Sequence, residues 1–264
     1  MAIELLDQMH QTIRLDKVPS RIVSLVPSQT ELLAELGLAS KVVGITKFCI
    51  YPEQWFQDKV RIGVTKAVDI EKVRALQPDL IIGNKEENTV EDILALQAIA
   101  PVWMSDISTY EDALEMIQAL GDICGKTEQS TQLISIIQHS FSSIQPMVIT
   151  KKVLYFIWNA PNYVAGKSTF IHAMLEKCGF ENYCKENRYP AWESSSDEVD
   201  LVFLSSEPFP FSEKHIELFQ QQFQNATIIL VDGEYFSWYG SRLKDAPRYF
   251  QGLIHQLTKQ KESN

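Results

Sequence analysis

The residues best able to do chemistry in this chain are aromatic and basic. Tyr235, Phe236, Trp238 and Tyr239 fall within five residues and run into Gly240-Ser241-Arg242. Four aromatics so closely spaced along a strand cannot all point inward with a period of two, so some are expected to face a cleft or solvent. With Trp158, Tyr163, Tyr189 and Trp192 they can build an aromatic wall, and Arg188 and Arg242 offer forked donors to a ligand carboxylate or hydroxamate. The alternative for the same residues is aromatic packing within the fold, with Arg242 in a structural ion pair.

Reactive groups are sparse. Cys49, Cys124, Cys178 and Cys184 contain no C-x-x-C pair, which argues against zinc; Cys178 and Cys184 read as small buried thiols, with a disulfide between them as the alternative. His10, His139, His172, His215 and His255 are scattered without ligand spacing. Ala165-Gly166-Lys167-Ser168-Thr169 suggests a phosphate loop, but that motif needs a glycine five residues before Gly166, where Pro161 stands. No catalytic group, metal site or intrinsic cofactor is therefore expected.

The elements that must position these groups follow from periodicity. Arg21 to Val26 reads as a buried strand, Ser28 with Glu31 as a capping box, Leu32, Leu33 and Leu36 as a helical stripe, and Gly37 as its stop. Lys41 to Ile45, Asp79 to Gly83 and Val102 to Met104 are further strands, separated by helices opened by Asp69 and Asn88; Ser108 to Cys124 is helical. Strands alternating with helices predict a mainly parallel sheet whose ligand edge lies beyond the carboxyl ends of the strands. That edge carries Lys47, Phe48, Thr65, Lys66 and the loop Asn84-Lys85-Glu86-Glu87-Asn88. Thr127 to Gln145, with Leu133, Ile134, Ile137, Phe141 and Ile144 at helical spacing, predicts one helix of roughly 18 residues, ~27 Å long. It is read as a rigid strut at 126–146 joining two α/β lobes, 1–125 and 147–264. The second lobe repeats the pattern: strands at Lys152 to Trp158, Val199 to Leu204 and Thr227 to Val231, a helix capped by Ser168, another from Ser212 to Phe223, and a loop from Glu186 to Ser196.

The length of 264 residues suffices for full cores, and 24 Lys plus Arg against 34 Asp plus Glu gives a net charge of −10, which works against nucleic acid and anionic membranes as partners. Met1 to Gln11 carry Glu4 and Asp7 and no long apolar run, so no secretory signal is read there; either the chain is cytoplasmic or a signal has been removed.

An ordered set of motifs resembles one family. Arg21 to Leu36, Gly44 with Tyr51-Pro52, Asp69-Ile70-Glu71, Pro78-Asp79-Leu80-Ile81-Ile82, Ala165-Gly166-Lys167-Ser168, Cys178-Gly179-Phe180-Glu181-Asn182, Arg188-Tyr189-Pro190 and Ala246-Pro247-Arg248 are similar to the substrate-binding proteins of siderophore and cobalamin ABC importers. The resemblance implies two Rossmann-like lobes on a backbone helix, the helical-backbone metal receptor fold, with the ligand between the lobes and little closure on binding. It also implies a monomer, a periplasmic or membrane-associated location, and docking of Glu71 and Asp197 on arginines of the permease; the alternative for these two acids is helix capping. Matched to the corrin-clamping positions are Phe48, Thr65 or Lys66, Asn84, Tyr163 and Ala191 or Trp192. The tryptophans expected in the first lobe are absent, and lysine and asparagine there suit an anionic or carbonyl-rich ligand such as a ferric siderophore.

The candidate ligand residues are Phe48, Lys66, Asn84, Lys85, Trp158, Tyr163, Arg188, Trp192, Trp238, Tyr239 and Arg242. The leading expectation is a non-enzymatic receptor for a ferric siderophore, corrinoid or related chelate. A cytoplasmic cofactor-binding protein or enzyme that kept the fold is the second reading, and a receptor for free metal the third.

Overall fold

The computed structural model describes residues 3–147, 149–194 and 196–262; the outermost residues of both expected lobes, and position 195 of the expected loop, lie outside these. The chain divides into two compact units, one of Met1–Ile107, Glu111–Ile136 and Tyr239–Arg242, the other of Ser108–Tyr110, Ile137–Trp238 and Leu243–Asn264.

In the first unit, an N-terminal hairpin pairs β1 (Ile3–Leu6) with β2 (Thr12–Leu15). The main run follows as β3 (Ile22–Ser24), α1 (Pro27–Glu35), β4 (Val42–Ile45), α2 (Glu53–Asp58), β5 (Val60–Arg61), β6 (Gly63–Val64), β7 (Ala67–Val68), α3 (Ile70–Ala75), β8 (Leu80–Asn84), α4 (Val90–Gln97), β9 (Val102–Ser105), α5 (Tyr110–Ile123) and α6 (Thr127–Ser142). Its sheet has the order β5-β4-β3-β8-β9, and every pairing is parallel. β8 is buried along its whole length, as a strand covered on both faces must be.

Helix starts are the main local departures from expectation. α1 begins at Pro27, whose fixed φ suits the first helical position, so Ser28 lies inside the first turn and buried and no capping box forms. Thr89, not Asn88, caps α4, accepting from Asp92 N–H, while Asp69 caps α3 as expected. α6 ends at Ser142, giving 16 residues and ~24 Å, and the division between units falls within it, after Ile136. α5 and the first half of α6 meet at backbone distance: a methyl at Gly121 would overlap Ser130 Oγ.

The second unit contains β10 (Lys152–Trp158), β11 (Tyr163–Val164), α7 (Phe170–Lys177), β12 (Glu181–Asn182), β13 (Leu201–Ser205), α8 (Glu213–Gln222), β14 (Thr227–Val231), α9 (Gly233–Ser237) and α10 (Ala246–Glu262). Its sheet runs β11-β10-β13-β14 with β12 also on β10; only β11 is antiparallel. Thr169, not Ser168, caps α7, with Ser168 held at a left-handed φ of 56°. The aromatic stretch, expected to turn some of its rings to a cleft, forms α9 as far as Ser237, with Trp238 at its C-cap and a 3-10 turn at Ser241–Lys244 beyond. Helical geometry removes the crowding that a strand would impose: Phe236 packs on Tyr155 and Phe250, and Tyr235 stacks on Tyr249 with ring centres 4.6 Å apart.

Both units start their central strands with the same lock. Asp79 N–H donates to Arg21 O and the Asp79 carboxylate accepts from Arg21 N–H at 2.8 Å; Asp200 N–H donates to Lys152 O and its carboxylate accepts from Lys152 N–H, also at 2.8 Å. The registers agree as well, Ile22 opposite Leu80 and Val153 opposite Leu201. Partial burial raises both carboxyls, and the hydrogen bonds from Arg21 and Ser20, or from Lys151 and Lys152, outweigh it and hold each below its ordinary value of 3.8.

The segment Tyr239–Arg242 belongs to the first unit and lies on α1. A Cβ at Gly240 would come within 2.5 Å of Ser28 O, so this approach requires glycine. Arg242 forks onto Glu31, Nη2 to Oε1 at 2.7 Å and Nε to Oε2 at 3.2 Å, with the side chains only 14% and 23% exposed, and its guanidinium lies 4.9 Å from the centre of the Tyr51 ring.

Two stability predictions result. Because the folded-state carboxyls are depressed, their contribution is present above pH 3.8 and lost as pH falls through the lower folded values. Asp79→Ala and Asp200→Ala should each destabilise by about 1–3 kcal/mol in urea unfolding near neutrality. The gap from the parent should close in acid, and a gap that persists there would contradict the lock. Removing Arg242 strands a partly buried carboxylate, so Arg242→Ala should also cost about 1–3 kcal/mol, with partial recovery in Glu31→Gln/Arg242→Gln; an unchanged unfolding midpoint for Arg242→Ala would refute the assignment.

Candidate ligand-binding site

Beyond the carboxyl ends of β4 and β8, short hydrogen bonds join three loops of the first unit into one rim. Lys47 N–H donates to Gly63 O at 2.8 Å, linking the loop after β4 to β6. Asn88 Nδ2 donates to Thr65 O at 2.9 Å and Asn88 Oδ1 accepts from Asn84 N–H at 2.9 Å, linking the turn between β6 and β7 to the loop after β8. Phe48, 55% exposed, and the exposed Lys47 and Lys66 project from this rim. The arrangement combines an apolar face with ammonium donors, next to Glu86 and Glu87 of the loop after β8.

A buried polar layer lies beneath the rim. Gln29 Nε2 and Asn84 Nδ2 both donate to Ser105 Oγ, at 2.6 and 2.9 Å, and Thr30 Oγ1 sits 2.8 Å from Ser24 Oγ. The Cys49 thiol lies 3.1 Å from the hydroxyls of both Thr30 and Thr46. Burial pushes this thiol up, against the opposing effect of the two hydroxyls, so it stays protonated. The other three cysteines are also free and buried; burial takes Cys124 up to about 12 and raises Cys178 and Cys184. The alternative of a Cys178–Cys184 disulfide is thereby set aside.

The second unit gathers its own rim after β10. Trp158 is 42% exposed, stands opposite Tyr163 in the β10–β11 pairing, and meets Phe209 edge-on with centres 5.8 Å apart. Trp192 N–H donates to Asn162 O at 2.9 Å, and its indole Nε1 donates to Ser194 O at 2.7 Å while the ring leans on Tyr183. Arg188 adopts a left-handed φ of 65°, with its N–H donating to Lys167 O and its carbonyl accepting from Gly166 N–H.

Several expected ligand residues have their polar groups engaged inside the protein. Asn84 is 1% exposed, donates to Ser105 and accepts from the N–H groups of Glu86 and Glu87, so it shapes its loop. Lys85 is ion-paired with Asp106 at 2.6 Å. Trp238 is buried with Nε1 donating to Glu207 Oε1 at 3.0 Å, and Tyr239 is buried beside it in sequence. Arg242 holds Glu31, so the ion-pair alternative for this residue is the one observed. The aromatic wall expected from Tyr235 to Tyr239 is corrected accordingly: Phe236 in α9 and Trp238 and Tyr239 just beyond it are buried, and Tyr235 is half-buried against Tyr249.

Glu71 and Asp197 are exposed, the first beside Arg74 at 3.5 Å and the second accepting from Asn225 Nδ2 at 3.0 Å. Sequence reading missed Phe209, whose signal was the run Glu207-Pro208-Phe209-Pro210-Phe211 directly after a buried strand. It also missed the hydroxyls of Thr30 and Thr46, which carry no pattern of their own. Among the described residues, no group of three or more His, Cys, Asp or Glu is placed to hold a metal ion.

A family model described as periplasmic binding protein matches residues 22–209. YvrC of Bacillus subtilis strain 168, an uncharacterized ABC transporter substrate-binding lipoprotein, is 28% identical over 204 residues, which span 73% of this chain and 64% of the Bacillus protein. The vitamin B12-binding protein of Pectobacterium carotovorum subsp. carotovorum strain PC1 is 21% identical over 252 residues, 91% of this chain and 89% of its own. Among solved structures, the petrobactin-binding protein YclQ from Bacillus subtilis superposes with a TM-score of 0.79 at 18% identity, covering 96% of this chain and 99% of that one. The vitamin B12-binding protein BtuF of Vibrio cholerae gives 0.70 at 21% identity, covering 92% and 99%. At these identities the structural likeness establishes the fold, and since the family model spans well over half of the sequence, the chain belongs to the periplasmic binding protein family.

Proposed function

We propose that this chain is the substrate-binding component of an ABC importer and that its cargo is a metal chelate of the ferric siderophore or corrinoid class. The observation that carries the reading is the family match over residues 22–209, joined to a rim in each unit that offers apolar faces with polar neighbours. Phe48 and Lys66 in the first unit, and Trp158, Tyr163 and Trp192 in the second, are the side chains assigned to the ligand. Arg188 is kept as a further donor. The chelate is cargo, no cofactor is assigned, and no catalytic step is part of the function. The relatives' names place them in the periplasm or on a lipid anchor, and the same location is proposed here.

For the permease, Glu71 and Asp197 are the proposed docking acids, one on each unit. Exposed charges of this kind act mainly on association rate and orientation. Charge reversal, as in Glu71→Lys, should therefore slow transport and weaken its salt dependence while chelate binding stays intact.

The direct test is native mass spectrometry with absorbance spectra after challenge with ferric hydroxamate and catecholate siderophores, haem and cobalamin. A one-to-one complex is expected with one of these classes. Phe48→Ala and Trp158→Ala should weaken it by about tenfold to a hundredfold, the range of buried aromatic anchors. Failure of every chelate to bind would overturn the importer reading.

A further inference from the structure

Phe48 and Ile50 are large apolar side chains that stand 55% and 43% exposed, separated by one residue that is fully buried. The backbone explains how a short loop achieves this. Ile50 N–H donates to Phe48 O at 2.9 Å, a three-residue turn centred on Cys49, and Cys49 N–H closes onto Thr46 O at 3.2 Å. The central side chain points into the protein and its two neighbours splay outward. The thiol sits between two hydroxyls on different elements, Thr30 Oγ1 of α1 and Thr46 Oγ1 at the end of β4, each 3.1 Å away. Exposed apolar side chains are ordinary when single and mobile; a pair held out from an anchored turn at the ligand edge of a parallel sheet is not.

We infer that Cys49 is a positioning residue: its thiol, held between Thr30 and Thr46, fixes the turn that presents Phe48 and Ile50 as a preformed apolar platform for one face of the cargo. The inference rests on the receptor function proposed above and adds Ile50 as a ligand-contacting residue and Cys49 as the group acting through it and Phe48. Preorganisation is the physical gain. A turn whose backbone is already ordered in the free protein has little further freedom to lose when the ligand covers its side chains. Cysteine suits the position because its sulfur is large enough to span two hydroxyls yet weakly polar enough to stay buried; serine, with a shorter bond, holds its oxygen back from the place the sulfur occupies.

Two measurements test this. In the free protein, backbone amide order parameters at Phe48, Cys49 and Ile50 should match a rigid scaffold, about 0.85, and drop toward about 0.6 in Cys49→Ala, with Cys49→Ser between them. Mobile amides in the unsubstituted protein would overturn the inference whatever the protein binds. On the chelate that forms a complex, Cys49→Ala should weaken affinity by about threefold to tenfold, mostly through faster dissociation. The loss should vanish in a Phe48→Ala, Ile50→Ala background, because the thiol acts only through those side chains. Cys184→Ala, a buried thiol of the second unit, should leave affinity unchanged. If the Cys49→Ala loss persists in full without Phe48 and Ile50, the thiol's role is general stability and the positioning assignment fails. An ordered turn with no chelate bound would leave the thiol's hold on the turn standing and overturn the importer reading alone.

Discussion

The loops that carry the proposed ligand residues are constrained by the burial of the parallel strands. β8 and β13 are buried at every position, so the sheets are covered on both faces and the polar groups at their strand ends, such as Ser24, Asn84 and Ser105, bond to one another inside the protein. A parallel ladder also forces each connection to return across the sheet, which gathers the loops after the strands along one edge where side chains can be both held and exposed. Phe48 follows β4 and Phe209 follows β13 in such loops, while Trp158 is the last residue of β10 and Lys66 sits in the turn of the β6–β7 hairpin. Their positions follow from sheet topology before any property of the ligand is considered.

Loops that carry a binding function must also be held still. Here the holding is polar and mostly buried. Asn84, Asn88 and Ser105 use side-chain amides and a hydroxyl to replace backbone bonds that the loops cannot make to one another. At the opposite ends of the strands, Asp79 and Asp200 perform the same task in the two units, each pairing with both backbone groups of a basic residue at the start of the facing strand, Arg21 just before β3 and Lys152 as the first residue of β10. The repetition of one lock at equivalent register gives the two units a common construction, although little in their loops is alike.

The rim of the first unit carries both signs of charge, with Lys47 and Lys66 beside Glu86 and Glu87 of the loop after β8. Lys85 is neutralised by Asp106 and Arg242 by Glu31, whereas Lys47 and Lys66 project at the surface of the first unit. A ligand approaching that rim meets ammonium groups and an aromatic face together. Under the proposed function, that pairing is the part of the rim offered to the chelate.

The sequence by itself determined the alternation of strands and helices, the parallel sheets, the lengths of β4, β8, β10 and β14 to within two residues, and the identity of the edge that carries the loops. Those features depend on local periodicity, which each segment expresses alone. Helix starts were less legible: Ser28, Asn88 and Ser168 each resemble a cap, but capping depends on which residue the backbone bends at, and neighbouring Pro27, Thr89 and Thr169 decided it. The fate of polar and aromatic side chains was decided only by tertiary structure. Arg242 meets Glu31 from 211 positions away, and Trp238 meets Glu207 from 31 away. No spacing rule encodes such partners. An arginine or tryptophan in sequence carries the same donor whether it ends in a ligand site or a buried pair, and only the fold determines which acceptor reaches it first.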